Sequence, residues 1–135
     1  MIRVAKLIAK RSTCARREVG AVAVDSLGRV LSTGFNGVPM NHDHCTDVRC
    51  PGALMATGTG LDKCEAVHAE ICMLLFCPDV MKIDTVYVTA SPCTLCLRAL
   101  LNTSCRRIVY ADLYSQEALD WWTSLGRTAE RLPCI

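Results

Sequence analysis

Two short segments contain the residues best suited to chemistry: His68-Ala69-Glu70 and Pro92-Cys93-Thr94-Leu95-Cys96. Cysteines at positions i and i+3 lie on one face of a helix, so Cys93 and Cys96 can bind the same ion. Their thiolates and the imidazole of His68 form a ligand set typical of zinc, with one coordination position left for water. This set predicts metal-assisted hydrolysis, and Glu70 is the candidate that takes the proton and returns it.

Each segment is expected to begin a helix. Pro92 suits the first helical position and Ser91 suits the N-cap, which would place both thiolates near the positive end of the helix dipole. His68 and Glu70 are two residues apart and point in different directions within a helix. They converge only if the ion lies beyond the helix end, so we expect His68 in the first turn.

Taken singly, the two segments have simpler explanations. A Cys-x-x-Cys pair can be a redox pair or half of a structural zinc site, and a His-x-Glu pair is commonly incidental. The combination, with a β-like segment between them, favours a catalytic site. The alternative of another class is a non-catalytic module stapled by zinc, but such a site needs no carboxylate like Glu70 beside an open coordination position.

The hydrophobic pattern predicts strands alternating with helices. Helices are expected over residues 2–11, 64–76, 92–101 and 115–125, the last with Ser115 as N-cap and Gly126 at its end. Strands are expected over residues 19–24, 29–35, 85–90, 106–111 and 128–132, the first two forming a hairpin, and residues 40–62 a long loop. This order predicts an α/β fold, a three-layer α/β/α sandwich with a mixed five-stranded sheet, in a single domain over residues 1–135.

Composition limits the class of protein. The 135 residues, of which 51% are hydrophobic, suit one domain with a substantial core. No apolar run approaches the roughly 20 residues that span a membrane, and the first residues lack a signal-peptide core, so a cytoplasmic location is expected. The ten cysteines are then expected to be reduced.

The charge is concentrated near the start of the chain. The formal net charge of +2 does not by itself indicate a nucleic-acid surface, and few aromatic residues argue against stacking on single strands. The basic cluster forms either a solvated helix face or a phosphate-binding edge. Its six members, among the fifteen Lys and Arg, are Arg3, Lys6, Lys10, Arg11, Arg16 and Arg17.

With these motifs the chain resembles the deoxycytidylate (dCMP) deaminases, of the compact phage and bacterial type, within the cytidine deaminase superfamily. Beyond the zinc motif, the resemblance rests on Ser12-Thr13-Cys14 before Val19-Gly20-Ala21, Gly34-Phe35-Asn36-Gly37 with Pro39, His44-Cys45 ahead of Asp47, and Val109-Tyr110 followed by Tyr114. It implies a cytidine deaminase-like fold and an enzyme that hydrolyses dCMP to dUMP and ammonia, supplying the precursor of thymidylate. The alternative with the same chemistry is a deaminase of tRNA adenosine or of free nucleosides.

The resemblance also implies residues that bind the substrate. Asn36 would contact the sugar and Tyr114 would help to hold the nucleotide, with Ala69 and Ser91 also at the substrate. An amide suits a hydroxyl, and a phenol can donate to a phosphate. Otherwise Asn36 is a turn residue and Tyr114 an aromatic at the edge of the core.

The remaining cysteines raise the question of a second zinc. By the resemblance, Cys14 and Cys45 match two of its usual ligands, and Cys50, Cys64 and His44 are the available partners. The four cysteines could complete a structural site that stabilises the long loop. The alternative is that they are small buried apolar side chains.

The resemblance further implies a homohexamer that dCTP activates and dTTP inhibits. No nucleic-acid or membrane partner is expected, because the net charge is small and no apolar run is long enough to span a membrane. The effectors would bind where the loop over residues 34–39 meets a neighbouring subunit, with Gly37 and Arg16 among the contacts.

Two positions depart from the family pattern. Cys72 stands where the family usually has asparagine, and Asp79 stands where one phage relative has an arginine tied to allosteric control. We therefore expect catalysis to be kept and the effector response to be altered.

Overall fold

Five strands and four α-helices alternate along the chain in the computed structural model, which describes residues 1–133. The last two positions of the predicted domain, 134–135, lie outside the described residues. The elements are α1 (Ile2–Ala9), β1 (Gly20–Val24), β2 (Val30–Phe35), α2 (Ala69–Leu75), β3 (Thr85–Ala90), α3 (Thr94–Leu101), β4 (Arg107–Asp112), α4 (Gln116–Ser124) and β5 (Thr128–Arg131).

The strands form one mixed sheet in the order β2-β1-β3-β4-β5. Strand β1 runs antiparallel to both β2 and β3, whereas β3, β4 and β5 run parallel to one another. Helices α3 and α4 provide the two crossovers between the parallel strands, as parallel pairing requires. The mixed five-stranded sheet predicted from the sequence is therefore confirmed.

Alternate residues of β1 face two helical layers. Val22 and Val24 pack with Ala5 of α1 on one side of the sheet. Ala21 and Ala23 point to the other side, where they join the larger core that includes residues of α2, α3 and α4. This alternation follows from the two-residue period of a strand. It gives the predicted three-layer sandwich, with α1 alone on one side.

Two glycines allow helices to approach the hairpin closely. A Cβ at Gly20 would overlap the carbonyl oxygen of Ala5 and lie 2.6 Å from Ala9 N in α1. A Cβ at Gly34 would overlap the backbone of α2 and lie 2.8 Å from Met73 Cα. A side chain at either position would force the helix away from the sheet. Helix α2, whose N-terminus lies at the predicted metal ligands, is thus seated directly on β2.

The start of α2 differs from the prediction. Residues 64–68, predicted to be helical, are not part of the helix, and Val67 forms a β-bridge with Gly37. The Val67 N–H donates to Gly37 O at 2.7 Å, and the Gly37 N–H donates to Val67 O at 3.2 Å. Since this backbone pairs across to the segment after β2, α2 begins only at Ala69. His68 is its N-cap and is not in its first turn.

The other predicted bounds agree with the structure to within two residues, as is usual for element ends. In α4, Ser115 is the N-cap as predicted, because its Oγ accepts the Ala118 N–H at 3.2 Å. Gly126 follows the helix with φ of 78°, a left-handed conformation that glycine adopts without strain. Within the described part of the chain, no helix combines the length and apolar character needed to cross a membrane.

Candidate functional site

The three predicted metal ligands lie together at the N-termini of α2 and α3. His68 Nδ1 is 3.5 Å from Cys93 Sγ and 3.3 Å from Cys96 Sγ. Ordinary zinc–nitrogen and zinc–sulfur bonds in a tetrahedral site separate such ligand atoms by about 3.6 Å. The donor set and its spacing therefore fit Zn²⁺. Among residues 1–133 it is the one group of three or more His, Cys, Asp or Glu whose ligand atoms all lie within 4.8 Å of one another.

The backbone at the two helix starts explains this convergence. The backbone of His68 is extended, with φ of −67° and ψ of 151°, whereas Glu70 lies in the first turn of α2. Because His68 lies outside the helix, its ring and the Glu70 side chain can face the same point at the helix N-terminus. Cys93 is the N-cap of α3, and its Sγ accepts the Cys96 N–H at 3.5 Å. The prediction of Ser91 as N-cap was wrong, because Ser91 Oγ instead accepts the Tyr114 N–H at 2.8 Å.

The two thiols of the site differ in how readily they lose a proton. The pKa of Cys93 is lowered to about 3, chiefly by the hydrogen bond with the Cys96 side chain and also by His68, against the opposing effect of burial. The same contact with Cys93 raises the pKa of Cys96, and the contact with Cys93 also raises the pKa of His68. The lowered pKa favours the thiolate form of Cys93, and a thiolate is the form that binds zinc.

Glu70 is a buried carboxyl beside these ligands, with only 4% of its surface exposed. Burial raises its pKa to about 7. A carboxyl with a pKa near neutrality can both accept and donate a proton efficiently at physiological pH. This environment suits a proton carrier better than a carboxylate that serves only as a ligand.

A cavity of about 380 Å³ opens beside the ligands, a volume within the range of small-molecule sites. Its wall contains all the residues predicted to contact the substrate, together with residues predicted to bind the metal or carry the proton. The lining includes Asn36, Ala69, Ser91 and Tyr114 as well as His68, Glu70 and Cys93.

Asn36 lies in the cavity wall and is 7% exposed. Its Oδ1 accepts the Val19 N–H at 2.8 Å, and its Nδ2 donates to Arg17 O at 2.7 Å. The side chain thus holds the segment before β1 in place, which a simple turn residue would not do. An amide nitrogen carries two hydrogens, so Asn36 keeps a second donor.

The sequence model of the family described as the cytidine and deoxycytidylate deaminase zinc-binding region matches residues 1–112. The chain belongs to this family. It is 37% identical over 115 residues to the deoxycytidylate deaminase of Mycobacterium phage D29, covering 79% of this chain and 88% of the phage protein. The resemblance inferred from the motifs is therefore confirmed.

A further relative and a solved structure are also similar to this chain. The deoxycytidylate deaminase of Schizosaccharomyces pombe is 34% identical over 118 residues, which are 84% of this chain but 36% of the yeast protein. This chain thus spans about a third of that relative. The crystal structure of dCMP deaminase from the cyanophage S-TIM5, in complex with dCMP and dUMP, superposes with a TM-score of 0.75 at 24% identity. The match covers 97% of this chain and 93% of the phage chain, and it shows the shared fold.

The two residues predicted to contact effectors have structural contacts in this family member. Gly37 lies in the bridge to Val67, and a Cβ there would overlap the Thr13 side chain. The Arg16 guanidinium donates to three carbonyl oxygens of the long loop. Its Nη1 reaches Gly52 O at 2.7 Å and Thr59 O at 3.1 Å, and its Nη2 reaches Ala56 O at 3.4 Å. The effector roles stay predictions.

Some of the four cysteines predicted to bind a second zinc lie near one another. The Cys50 N–H points at Cys45 Sγ at 3.5 Å, and Cys14, Cys45 and Cys50 are buried. Burial raises the pKa of Cys64, and the neighbouring thiols of Cys14 and Cys50 raise it further. Within the described residues, however, no three of these sulfur atoms lie within 4.8 Å of one another. His44, the other available partner, is exposed.

Six residues that line the cavity were not assigned to the site from the sequence: Arg17, Val19, Thr57, Gly58, Leu61 and Ala90. Arg17 was noted only as a member of the basic cluster, although its position just before β1 is a usable signal. Val19 directly precedes β1 and Ala90 ends β3, whereas the other three belong to the irregular loop. No periodicity marks the residues of such a loop that face a cavity.

Proposed function

We propose that the protein hydrolyses dCMP to dUMP and ammonia, with a zinc ion held by His68, Cys93 and Cys96. The observation that carries the proposal is the buried Glu70, with its raised pKa, in a cavity beside three zinc-type ligands. Family membership and the named activity of the phage and yeast relatives support dCMP as substrate.

In this mechanism the side chains position the substrate and move protons. When bound, Zn²⁺ supplies a Lewis acid that lowers the pKa of water. Glu70 accepts a proton at its carboxylate oxygen, transfers it to the pyrimidine ring nitrogen, and carries the next proton to the departing amine. Its burial keeps bulk water from competing for these protons.

The proposed substrate contacts follow the cavity wall. The second amide hydrogen of Asn36 donates to a sugar hydroxyl, and Tyr114 contacts the nucleotide at the half-exposed rim. Ala69 and Ser91 place the start of α2 and the end of β3 next to the base.

The decisive experiment compares Glu70→Gln with wild type, both loaded with zinc. Loss of the proton carrier should lower dCMP turnover by about 10²- to 10⁴-fold while the zinc content stays the same. Glu65→Gln, an exposed acid near the same helix, is the matched control and should keep full activity. Wild-type turnover in Glu70→Gln would refute the proton role.

A substrate panel separates the alternatives. Turnover of dCMP, with none of tRNA adenosine or cytidine, supports the proposal, whereas the reverse preference favours the other deaminase classes. Zinc binding without turnover of any of them would indicate a non-catalytic, zinc-stapled module.

We also propose a second, structural zinc held by Cys14, Cys45, Cys50 and Cys64. The burial of three of these cysteines and the mutual influence of the thiols support it. Metal analysis should find two zinc ions per chain in wild type and one in Cys45→Ser. One zinc in both proteins would contradict the second site.

Regulation and assembly complete the proposal: a cytoplasmic homohexamer activated by dCTP and inhibited by dTTP, with Gly37 and Arg16 at the effector site. Family membership supports it. Turnover measured with each effector, and the mass measured in solution, test it directly. A monomer that responds to neither nucleotide would overturn this part and leave the catalytic proposal intact.

A further inference from the structure

We propose that the Ser91 hydroxyl is a positioning group, which fixes the backbone of Tyr114 at the cavity rim relative to the metal ligands. The inference rests on the proposed function, in which Tyr114 contacts the nucleotide. It starts from a buried oxygen atom. Ser91 is 2% exposed, lies two residues before Cys93, and lines the same cavity as Tyr114.

The pairing of two strands ends at Ser91. Strands β3 and β4 run parallel up to the pair of Ala90 and Asp112, and the Ser91 N–H still donates to Asp112 O at 2.9 Å. The next residue, Pro92, has no N–H to donate, and the chain then turns into α3. The backbone N–H groups that follow β4 therefore need an acceptor other than a paired strand.

The Ser91 side chain supplies that acceptor. Its Oγ accepts the Tyr114 N–H at 2.8 Å and the Ser115 N–H at 3.1 Å. A hydroxyl oxygen has two acceptor lone pairs, which matches these two N–H groups. An alanine at this position would leave both N–H groups without the acceptor in a largely buried place, which costs more than the loss of an exposed hydrogen bond.

Tyr114 depends on this anchor because core packing does little to hold it. The residue is 45% exposed at the rim of the cavity. Its ring lies against the Arg17 guanidinium, whose carbon is 4.8 Å from the ring centroid, and a cation–π contact at an exposed position is weak. The position of the ring is therefore set mainly by its backbone, which Ser91 holds.

Kinetics on dCMP with zinc-loaded protein test this role. Ser91→Ala should lower kcat/KM by about 10-fold, mainly through KM, because the rim moves while Glu70 stays in place. The zinc content should stay the same, since the metal ligands are kept. A fall in kcat with an unchanged KM, or a loss of zinc, would overturn the proposal in favour of a role at the metal site.

Ser115→Ala is the matched control. It removes the hydroxyl that accepts the Ala118 N–H at 3.2 Å and so disturbs the start of α4, but the backbone N–H of residue 115 still donates to Ser91. This variant should keep the kcat and KM of wild type. An equal rise of KM in both variants would overturn the proposal, because it would show that any disturbance near α4 has this effect.

A double-mutant cycle on the equilibrium binding of dUMP asks whether Ser91 acts through Tyr114. Ser91→Ala should weaken binding by about 10-fold in the wild-type background, but by less than about twofold in the Tyr114→Ala background, where the side chain that it positions is gone. Losses that multiply in the double variant would overturn the proposal.

Amide hydrogen exchange, measured by NMR without any nucleotide, tests the anchor itself. Ser91→Ala should speed exchange of the Tyr114 and Ser115 amides by about 10-fold, whereas Ser115→Ala should leave the Tyr114 amide unchanged. Unchanged exchange in Ser91→Ala would overturn the proposal. If exchange and dUMP binding respond as expected but wild type does not turn over dCMP, the proposed function fails while the positioning role of Ser91 stands.

Discussion

The close seating of α2 on β2 predicts that Gly34→Ala will impair catalysis without touching the cavity. The added Cβ would lie 2.8 Å from Met73 Cα, whereas carbon atoms pack best at about 3.5–4.0 Å. It would also overlap the Ala69 carbonyl oxygen and the Met73 backbone nitrogen. Because these are backbone atoms within a helix, no side-chain rotation relieves the contact. Helix α2 must therefore move away from the sheet by about 1 Å.

That displacement acts on the site because α2 carries Glu70 in its first turn and has His68 as its N-cap. A misplacement of about 1 Å commonly costs 10²-fold in rate, so we expect dCMP turnover to fall by about that factor. Overpacking of this kind also costs about 1–3 kcal/mol, so the free energy of unfolding should fall by that amount. Zinc affinity should weaken, because His68 moves relative to Cys93 and Cys96.

Gly20→Ala is the matched control. Its Cβ would overlap the backbone of α1 in the same way, but on the opposite side of the sheet from the metal ligands. Both variants should lose stability in urea unfolding, while only Gly34→Ala should lose turnover and zinc affinity below the unfolding range. A folded Gly34→Ala protein with wild-type turnover would refute the reasoning, as would equal losses of turnover in both variants.

Three further changes test other parts of the structure. Burial raises the pKa of Cys105 to about 11, so between about pH 9 and 11 the unfolded chain loses this proton first and stability falls as pH rises. Wild type should therefore lose on the order of 2 kcal/mol more than Cys105→Ala over that range in urea unfolding, and parallel losses would contradict the burial argument. Ser115→Ala should lower the free energy of unfolding by about 1 kcal/mol because the Ala118 N–H loses its acceptor, and an unchanged value would show that the cap adds nothing. Arg16→Met should speed amide hydrogen exchange over residues 52–59, whose carbonyls lose a shared donor, whereas unchanged exchange would mean that the loop is held by other contacts.

Much of the fold could be predicted because its signals are local. The apolar periodicity located every strand to within a residue, and Ser115 and Gly126 correctly marked the ends of α4. The start of α2 was misplaced because Val67 pairs with Gly37, a partner distant in sequence. Hydrophobic periodicity does not detect such a pairing. Here the pairing keeps residues 64–68 out of a helix that their own composition would allow.

The sequence by itself determined the chemistry of the candidate site, because ligand type and short spacing already specify what His68, Glu70 and the Cys93–Cys96 pair can do. The tertiary structure decided how the rest of the cavity is built. The β2-β1-β3-β4-β5 order brings the segment before β1, the end of β2, the start of α2 and the segment after β4 to one cavity. Only there does Asn36 hold the backbone of Arg17, and only there does the Arg17 guanidinium meet the ring of Tyr114. These contacts depend on strand order and not on any local pattern, so the folded chain alone reveals them.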